Sequence, residues 1–348
     1  MNYSDNENWN RFEELNYRFM KNIQSKFNEL LLNQTPQKEL VAELQDLLGV
    51  SQAGVYRRLQ GATSYTIDET IRIAGRYGIS LDTLTGGGKD FVTFQRNPFI
   101  KTEKDFIAYL RNSLNELKSF TQLENSELFY LAKDIPIYYT FRYPHLGPFK
   151  MKVWLNSIYE ASQNDQVEAE VDSEMIEISR ELCRTYLSIP STEVWNDTSV
   201  VSVFRQLQYY RESGRIEDKE ALLILEDAEE MIDWIYRQAT VGQRMGESLS
   251  NAPLNVPFRM FYNDIMVMDN HIYFRSAAGS RIFLVWAGLN FIKTADPKMI
   301  EEMEYFMEVQ QTRSALISGS SEIERLRWKR RAMSHLTQLR EKILTDFT

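Results

Sequence analysis

The chain has 348 residues, 43% of them hydrophobic, and its 49 acidic and 40 basic side chains give a formal charge of -9. That length exceeds the usual size of one domain, so two or three hydrophobic cores are expected; the net acidity excludes a protein that coats nucleic acid through bulk positive charge, so any DNA contact has to come from a local patch. The lone Cys183 excludes an intramolecular disulfide framework and a multi-cysteine zinc site, and without a basic-then-apolar leader or an apolar run long enough for a bilayer the chain is expected to be cytoplasmic and away from membranes.

Met1 to Asn8 is polar and reads as a frayed end. From Trp9 the residues Phe12, Leu15, Phe19, Ile23, Phe27, Leu30 and Leu31 recur at three- and four-residue steps, which predicts one long amphipathic helix. Its apolar stripe either packs on the helices after it in the chain or pairs with a second subunit.

Next, Leu40, Leu44, Leu47 and Leu48 mark a helix that Gly49 ends, because glycine takes up the left-handed backbone of a helix stop without steric cost. Val50 comes next as a buried plug, and Ser51 is a good N-cap for a second helix, Gln52 to Gln60, closed by Gly61. Two helices around a short glycine turn form a helix-turn-helix, whose second helix lies in the DNA major groove. At 100° per residue, Val55 and Leu59 look inward, against Leu44, Leu48 and Val50, and leave Gln52, Ala53, Tyr56, Arg57 and Gln60 free to meet bases. Gln suits the adenine edge, Arg the guanine acceptors or a phosphate, and Ala53 a thymine methyl. Arg58 sits at the border, where it either reaches a phosphate or pairs with an acidic side chain.

The run Gly49-Val50-Ser51-Gln52-Ala53-Gly54-Val55, with Gly61 closing the helix, resembles the phage Cro and lambda-repressor-like helix-turn-helix family of bacterial regulators. Thr66-Ile67-Asp68-Glu69 then reads as a capping box opening a helix with Ile67, Ile71, Ala74 and Tyr77 inward, and Gly78 to Leu84 looks like the family's last short helix. The resemblance implies DNA contacts from Ser51, Gln52, Ala53, Tyr56, Arg57, Arg58 and Gln60, and from Thr63 and Ser64 in the adjoining loop. The chain departs from the family at Gln45, where Ala is usual, at Arg58, where an apolar residue is usual, and at Val41, where many members carry a phosphate-contacting Gln. Thr35-Pro36-Gln37 reads as the cap and start of an extended first motif helix.

Gly86-Gly87-Gly88-Lys89 lacks the first glycine and the Ser/Thr of a phosphate-binding loop and reads as a hinge, centred on 87–90, between residues 1–86 and a second domain at 91–348. There, Phe91 to Phe94 is a strand candidate, Asp105 to Phe120 a helix and Glu127 to Leu131 a second strand. Ile137 to Tyr143 is crowded with aromatics between Pro136 and Pro144, and reads as core before a helix from Phe149 to Ser162. Ser173 to Leu187, Thr198 to Ser213 and Ile216 to Arg244 read as three helices that resemble the helical-repeat effector domains attached to some bacterial regulators. After a loop at Ser248 to Pro253, the runs Phe258 to Met268, His271 to Ser276 and Arg281 to Val285 predict a three-stranded meander. Asp296 and Pro297 cap a further helix, and Ser321 with Glu324 opens the last, which carries Arg325, Arg327, Lys329, Arg330 and Arg331. That cluster reads as a solvated helical face, the rival being a second phosphate surface or an anionic effector site.

No metal-spaced histidine pair, nucleophile elbow or dinucleotide fingerprint is present, so neither a cofactor nor enzymatic activity is expected. The fold class expected is mainly α: an N-terminal helix-turn-helix domain plus a larger, mostly helical α+β domain with a small sheet of about three to five short strands. The function expected is sequence-specific regulation of transcription on double-stranded DNA by a homodimer, joined through the long first helix or the helices after Pro297, with room for a small-molecule or peptide effector on the C-terminal domain. The alternative is a protein-interaction scaffold whose helix-turn-helix fold no longer binds DNA.

Overall fold

In the computed structural model, residues 23–85, 92–161, 170–246, 252–264 and 269–346 are described. The expected helical turns before Ile23, the hinge at 87–90, Phe91 and the strand end at 265–268 lie outside these residues. Contacts divide the chain into Met1–Thr93 and Phe94–Thr348, and the two units are taken in turn.

The first unit contains helices α1 (23–32), α2 (Gln37–Leu48), α3 (Gln52–Leu59), α4 (Ile67–Tyr77) and α5 (Asp82–Thr85). Phe27 and Leu31 of α1, Leu40, Val41 and Leu44 of α2, Val55 of α3, Ile73 and Ala74 of α4 and Leu84 of α5 form one buried cluster. Pro36, rather than Thr35, occupies the N-cap of α2, and no side chain caps that end. Gly49 ends α2 in the left-handed conformation, its N–H donating to the Gln45 carbonyl. On α4 the capping box of Thr66 and Glu69 is present, but the inward face differs from the expected one. Ile73 is fully buried, while Ile67 and Ile71 are 79% and 55% exposed. The reason is the stripe Glu69–Ile73–Tyr77, spaced four residues apart: Glu69 meets Arg58 and Tyr77 donates to Glu43 Oε2 at 2.6 Å, which turns the opposite stripe of Ile67 and Ile71 to solvent.

The second unit overturns the expected small sheet. Among the described residues it is built on one nine-stranded mixed sheet, in the order β1 (Gln95–Arg96), β8 (Asn290–Thr294), β7 (Gly279–Ala287), β6 (His271–Ser276), β2 (Glu127–Ala132), β3 (Ser191–Trp195), β5 (Pro253–Tyr262), β4 (Gln243–Met245), with β9 (Ala315–Leu316) also on β5. The central strands β2, β3 and β5 run parallel, and the remaining pairings are antiparallel. The meander is β6–β7–β8, not the expected one, because β5 lies beside β3 and away from β6. β3 escaped notice because a glutamate occupies the middle of a strand whose five residues are all buried; β1, β4 and β9 are too short to leave a pattern.

Side chains alternate across the sheet as strand geometry requires. Leu128, Tyr130, Trp195, Phe258 and Met260 join a large core with helices α6 (Glu103–Thr121), α7 (Leu146–Ala161), α8 (Ser173–Leu187), α9 (Thr198–Glu212), α10 (Asp218–Val241) and α12 (Glu322–Asp346). Phe129, Leu131, Val194, Phe261 and Tyr273 face the other way, onto Met303 and Met307 of α11 (Pro297–Thr312). The aromatic segment, a 3-10 turn at Ile137–Arg142, supplies Tyr139 and Phe141 to the large core.

The basic cluster of α12 is largely neutralised from within. Arg325 is buried and donates to the carbonyls of Ile317 and Gly319 at 2.8 and 2.9 Å. Arg327 pairs with Glu324, Lys329 with Asp233 and Arg331 with Asp264. The cluster is thus not a uniformly solvated face: Arg325 is buried on backbone carbonyls, while Arg327, Lys329 and Arg331 pair with carboxylates.

Candidate nucleic-acid interface

Helix α3 begins where Ser51, in extended backbone, turns its Oγ to accept the Gly54 N–H at 3.3 Å. This satisfies one of the amides that a helix start leaves without a partner. Along the helix and its C-cap, Gly54 and Val55 are buried, Leu59 is half-buried, and Gln52, Ala53, Tyr56, Arg57 and Gln60 are exposed. Ser51 and Ser64 are exposed and Thr63 is half-buried. No acidic side chain lies within α3, and its last turn carries Arg57 and Arg58. The exposed side therefore has the amides of two glutamines, a phenol and one guanidinium, beside a helix N-terminus that favours an anion.

Arg58 belongs to a different set. Its Nη2 donates to Glu69 Oε1 at 2.7 Å, its Nε to Glu69 Oε2 at 3.1 Å, and its Nη1 to the Gly54 carbonyl at 3.2 Å. A two-pronged ion pair of this kind fixes the guanidinium plane and ties α3 to the start of α4. Partial burial works to raise the Glu69 carboxyl, but the hydrogen bonds from Arg58 and from the Thr66 N–H outweigh it and hold the group below its ordinary value.

The other end of α3 is held by residues that sequence reasoning passed over. Gln24 Nε2 lies 2.8 Å from both the Arg58 and Thr63 carbonyls, and Asn28 Nδ2 lies 3.0 and 2.9 Å from those of Arg58 and Leu59. Two amides of α1 thus occupy carbonyls that the end of a helix would otherwise leave to water. Asn28 is only 4% exposed, and its Oδ1 accepts the Tyr65 hydroxyl at 3.2 Å. The Tyr65 ring meets Phe27 edge-on with centroids 5.8 Å apart. Burial pushes the Tyr65 phenol up to about 12, eased by the Arg58 charge and reinforced by Glu69, so it stays a donor at any ordinary pH. The available signal was the four-residue step from Gln24 to Asn28, beside Phe27 and Leu31 on the inward face of α1.

Val41, at the place of the family's phosphate-contacting glutamine, is 2% exposed and part of the core, so it offers no such contact. Among the described residues, the side chains of Gln52, Tyr56, Arg57 and Gln60 make no hydrogen bond or ion pair within the chain. The capped inner side and the fixed far end hold the backbone that carries them. This is the arrangement that base readout needs: rigid element, outward donors and acceptors, nothing already satisfied.

Residues 19–95 match the family described as the BetR domain, a helix-turn-helix-type DNA-binding domain. The match supports an N-terminal helix-turn-helix that binds DNA and regulates transcription, and it covers none of residues 96–348. No curated protein and no solved structure matches the chain. No described helix is long and apolar enough to cross a membrane.

Proposed function

We propose that this chain is a sequence-specific, cytoplasmic regulator of transcription that binds double-stranded DNA as a homodimer, with α3 in the major groove and the second unit serving effector sensing or assembly. The observation that carries the reading is the division of labour on α3. Val55 and Arg58 are committed inward, while Gln52, Tyr56, Arg57 and Gln60 stay outward and unpaired among the described residues. Docking of the Cro and lambda-repressor-like kind puts the first turn of such a helix against base edges and its flanks against phosphates. One such module reads only a few base pairs, so useful specificity calls for two copies on half-sites about one helical turn apart. No catalytic step and no cofactor belong to this reading.

The test is recovery of sheared genomic fragments by the purified full-length protein at stated salt, with sedimentation of the same preparation. The expected result is a dimer that enriches an inverted repeat, with binding that falls steeply as salt rises because phosphate contacts release counterions. A monomer with no preferred sequence at low salt would sink the regulator reading and leave the scaffold alternative.

A further inference from the structure

Between α6 and the sheet of the second unit lies a cavity that is partly open to solvent. Its walls are aromatic: Tyr109 and Phe120 from α6, Tyr138 from the 3-10 turn, Phe283 from β7 and Phe291 from β8. Flat side chains in a cavity wall favour a flat guest that meets them by stacking or edge-to-face contact.

The polar groups gather at one place. Glu116 of α6 accepts from Lys293 Nζ at 2.8 Å and lies 3.8 Å from Arg281 Nη1, so two cations share one carboxylate. Both Glu116 and Lys293 line the cavity, as do Ser113 and Asn97. The Lys293 and Glu116 side chains are about a quarter exposed or less, where a charge interaction is stronger than at an open surface. A second carboxylate at this rim would balance the cation that Glu116 leaves unmatched, and charge-assisted hydrogen bonds of this type are the strong ones.

We infer that this cavity is a binding site for a small planar aromatic molecule carrying a carboxylate, with the ring between the aromatic walls and the carboxylate at Lys293 and Arg281. It supplies the effector of the sensing unit and in that respect rests on the regulator reading. Binding is nevertheless measured directly, so its failure is distinguishable from a failure to bind DNA. Lys293 is in register with Gln95 of β1, the first strand after the boundary at Thr93, which puts the carboxylate site beside the strand by which the chain enters this unit.

The experiment is calorimetric titration of the full-length protein with phenylacetate and indole-3-acetate, with indole as the uncharged ring and acetate as the ringless acid. Saturable binding of at least one aryl acid is expected, with indole weaker by about tenfold or more and acetate not bound. Lys293→Gln should remove that preference by lowering aryl-acid affinity about tenfold while leaving indole unchanged. Ser113→Trp, which fills the space from α6, should abolish binding of both, and unchanged thermal unfolding of each variant shows that the unit is intact. Absence of saturable heat with either aryl acid overturns the site. Equal binding of indole and indole-3-acetate overturns the carboxylate assignment, and wild-type affinities in both variants place the ligand elsewhere and overturn the inference.

Discussion

Glu193 of β3 and Arg244 of β4 form an ion pair 2.6 Å long in which neither side chain reaches solvent. Glu193 also accepts from the Tyr139 hydroxyl at 2.8 and 3.0 Å, from Tyr186 and from the indole of Trp195 at 2.8 Å. Arg244 lies over the rings of Tyr186 and Phe258, 4.7 and 4.3 Å from their centroids. Removing one partner of a buried pair strands the other charge, so Arg244→Met should cost about 3–5 kcal/mol. A double change, Glu193→Leu with Arg244→Met, should recover part of that loss. Urea unfolding followed by near-ultraviolet circular dichroism, to which Trp195 and Trp234 in the same core contribute, reads both.

Asn28 is expected to matter for α3 without approaching DNA. Asn28→Ala leaves the Leu59 carbonyl without its amide and the Tyr65 hydroxyl without its acceptor, at a cost of about 1–3 kcal/mol. Hydrogen exchange in the full chain should speed up in α3 and in the Gly61–Tyr65 loop. Unchanged protection there would show that the α1 amides are dispensable.

The adjacent arginines should separate cleanly. Arg57→Ala, on the outward side, should cost about 1–3 kcal/mol on the true operator and much less on random DNA, with no change in unfolding. Arg58→Ala should loosen α3 against α4 through loss of the Glu69 pair and lower affinity on both kinds of DNA. Binding isotherms on operator and random duplexes decide between base reading and backbone holding.

Acid should weaken the first unit through Glu69. Its carboxyl sits below the ordinary value of about 4.5 in the folded chain, so it contributes stability that is fully present above that value and is lost as pH falls through the lower folded-state value. Glu69→Gln should therefore flatten the acid limb of α3 and α4 protection measured by hydrogen exchange against pH. An identical acid limb in the variant would assign the sensitivity to other carboxylates.

Gly54 offers a stabilising change. An added Cβ would meet Ser51 Oγ and Val50 Cβ at 3.5 Å and Arg58 Nη1 at 3.7 Å, all ordinary contacts, in a helix where alanine is favoured over glycine by about 0.8–1 kcal/mol. Gly54→Ala should raise the thermal midpoint of the first unit and leave operator affinity intact, because position 54 faces inward.

Local chemistry was legible wherever a few neighbouring residues decide the outcome. The Gly49 stop, the Ser51 cap, the Thr66–Glu69 box and the span Ser173–Leu187 can each be read from side chains within one helical turn or one periodic stripe. The α4 face was misread because Ile67 and Ile71 are apolar and suitably spaced, whereas the choice was made by partners distant in sequence, Arg58 and Glu43. β3 was illegible for the same kind of reason. Glu193 is admissible in a central strand only because Arg244, two tyrosines and a tryptophan converge on it, and no local pattern announces that convergence. The outward face of α3 could be placed by angle alone, but its supports at Gln24 and Asn28 look like surface amides until the end of α3 is brought beside them.

The pairing of Gln95 with Lys293 has a consequence in time. The first described strand of the sheet waits for β8, so the sheet cannot be completed until the chain through Thr294 has left the ribosome. Helices α1 to α5 close their core from residues 27–84 alone, a span far shorter than the separation of Gln95 from Lys293, and elements joined across shorter separations form faster than sheets joined by distant pairings. For an interval during each round of synthesis the helices of the first unit are therefore in place on a nascent chain whose second unit is not yet complete.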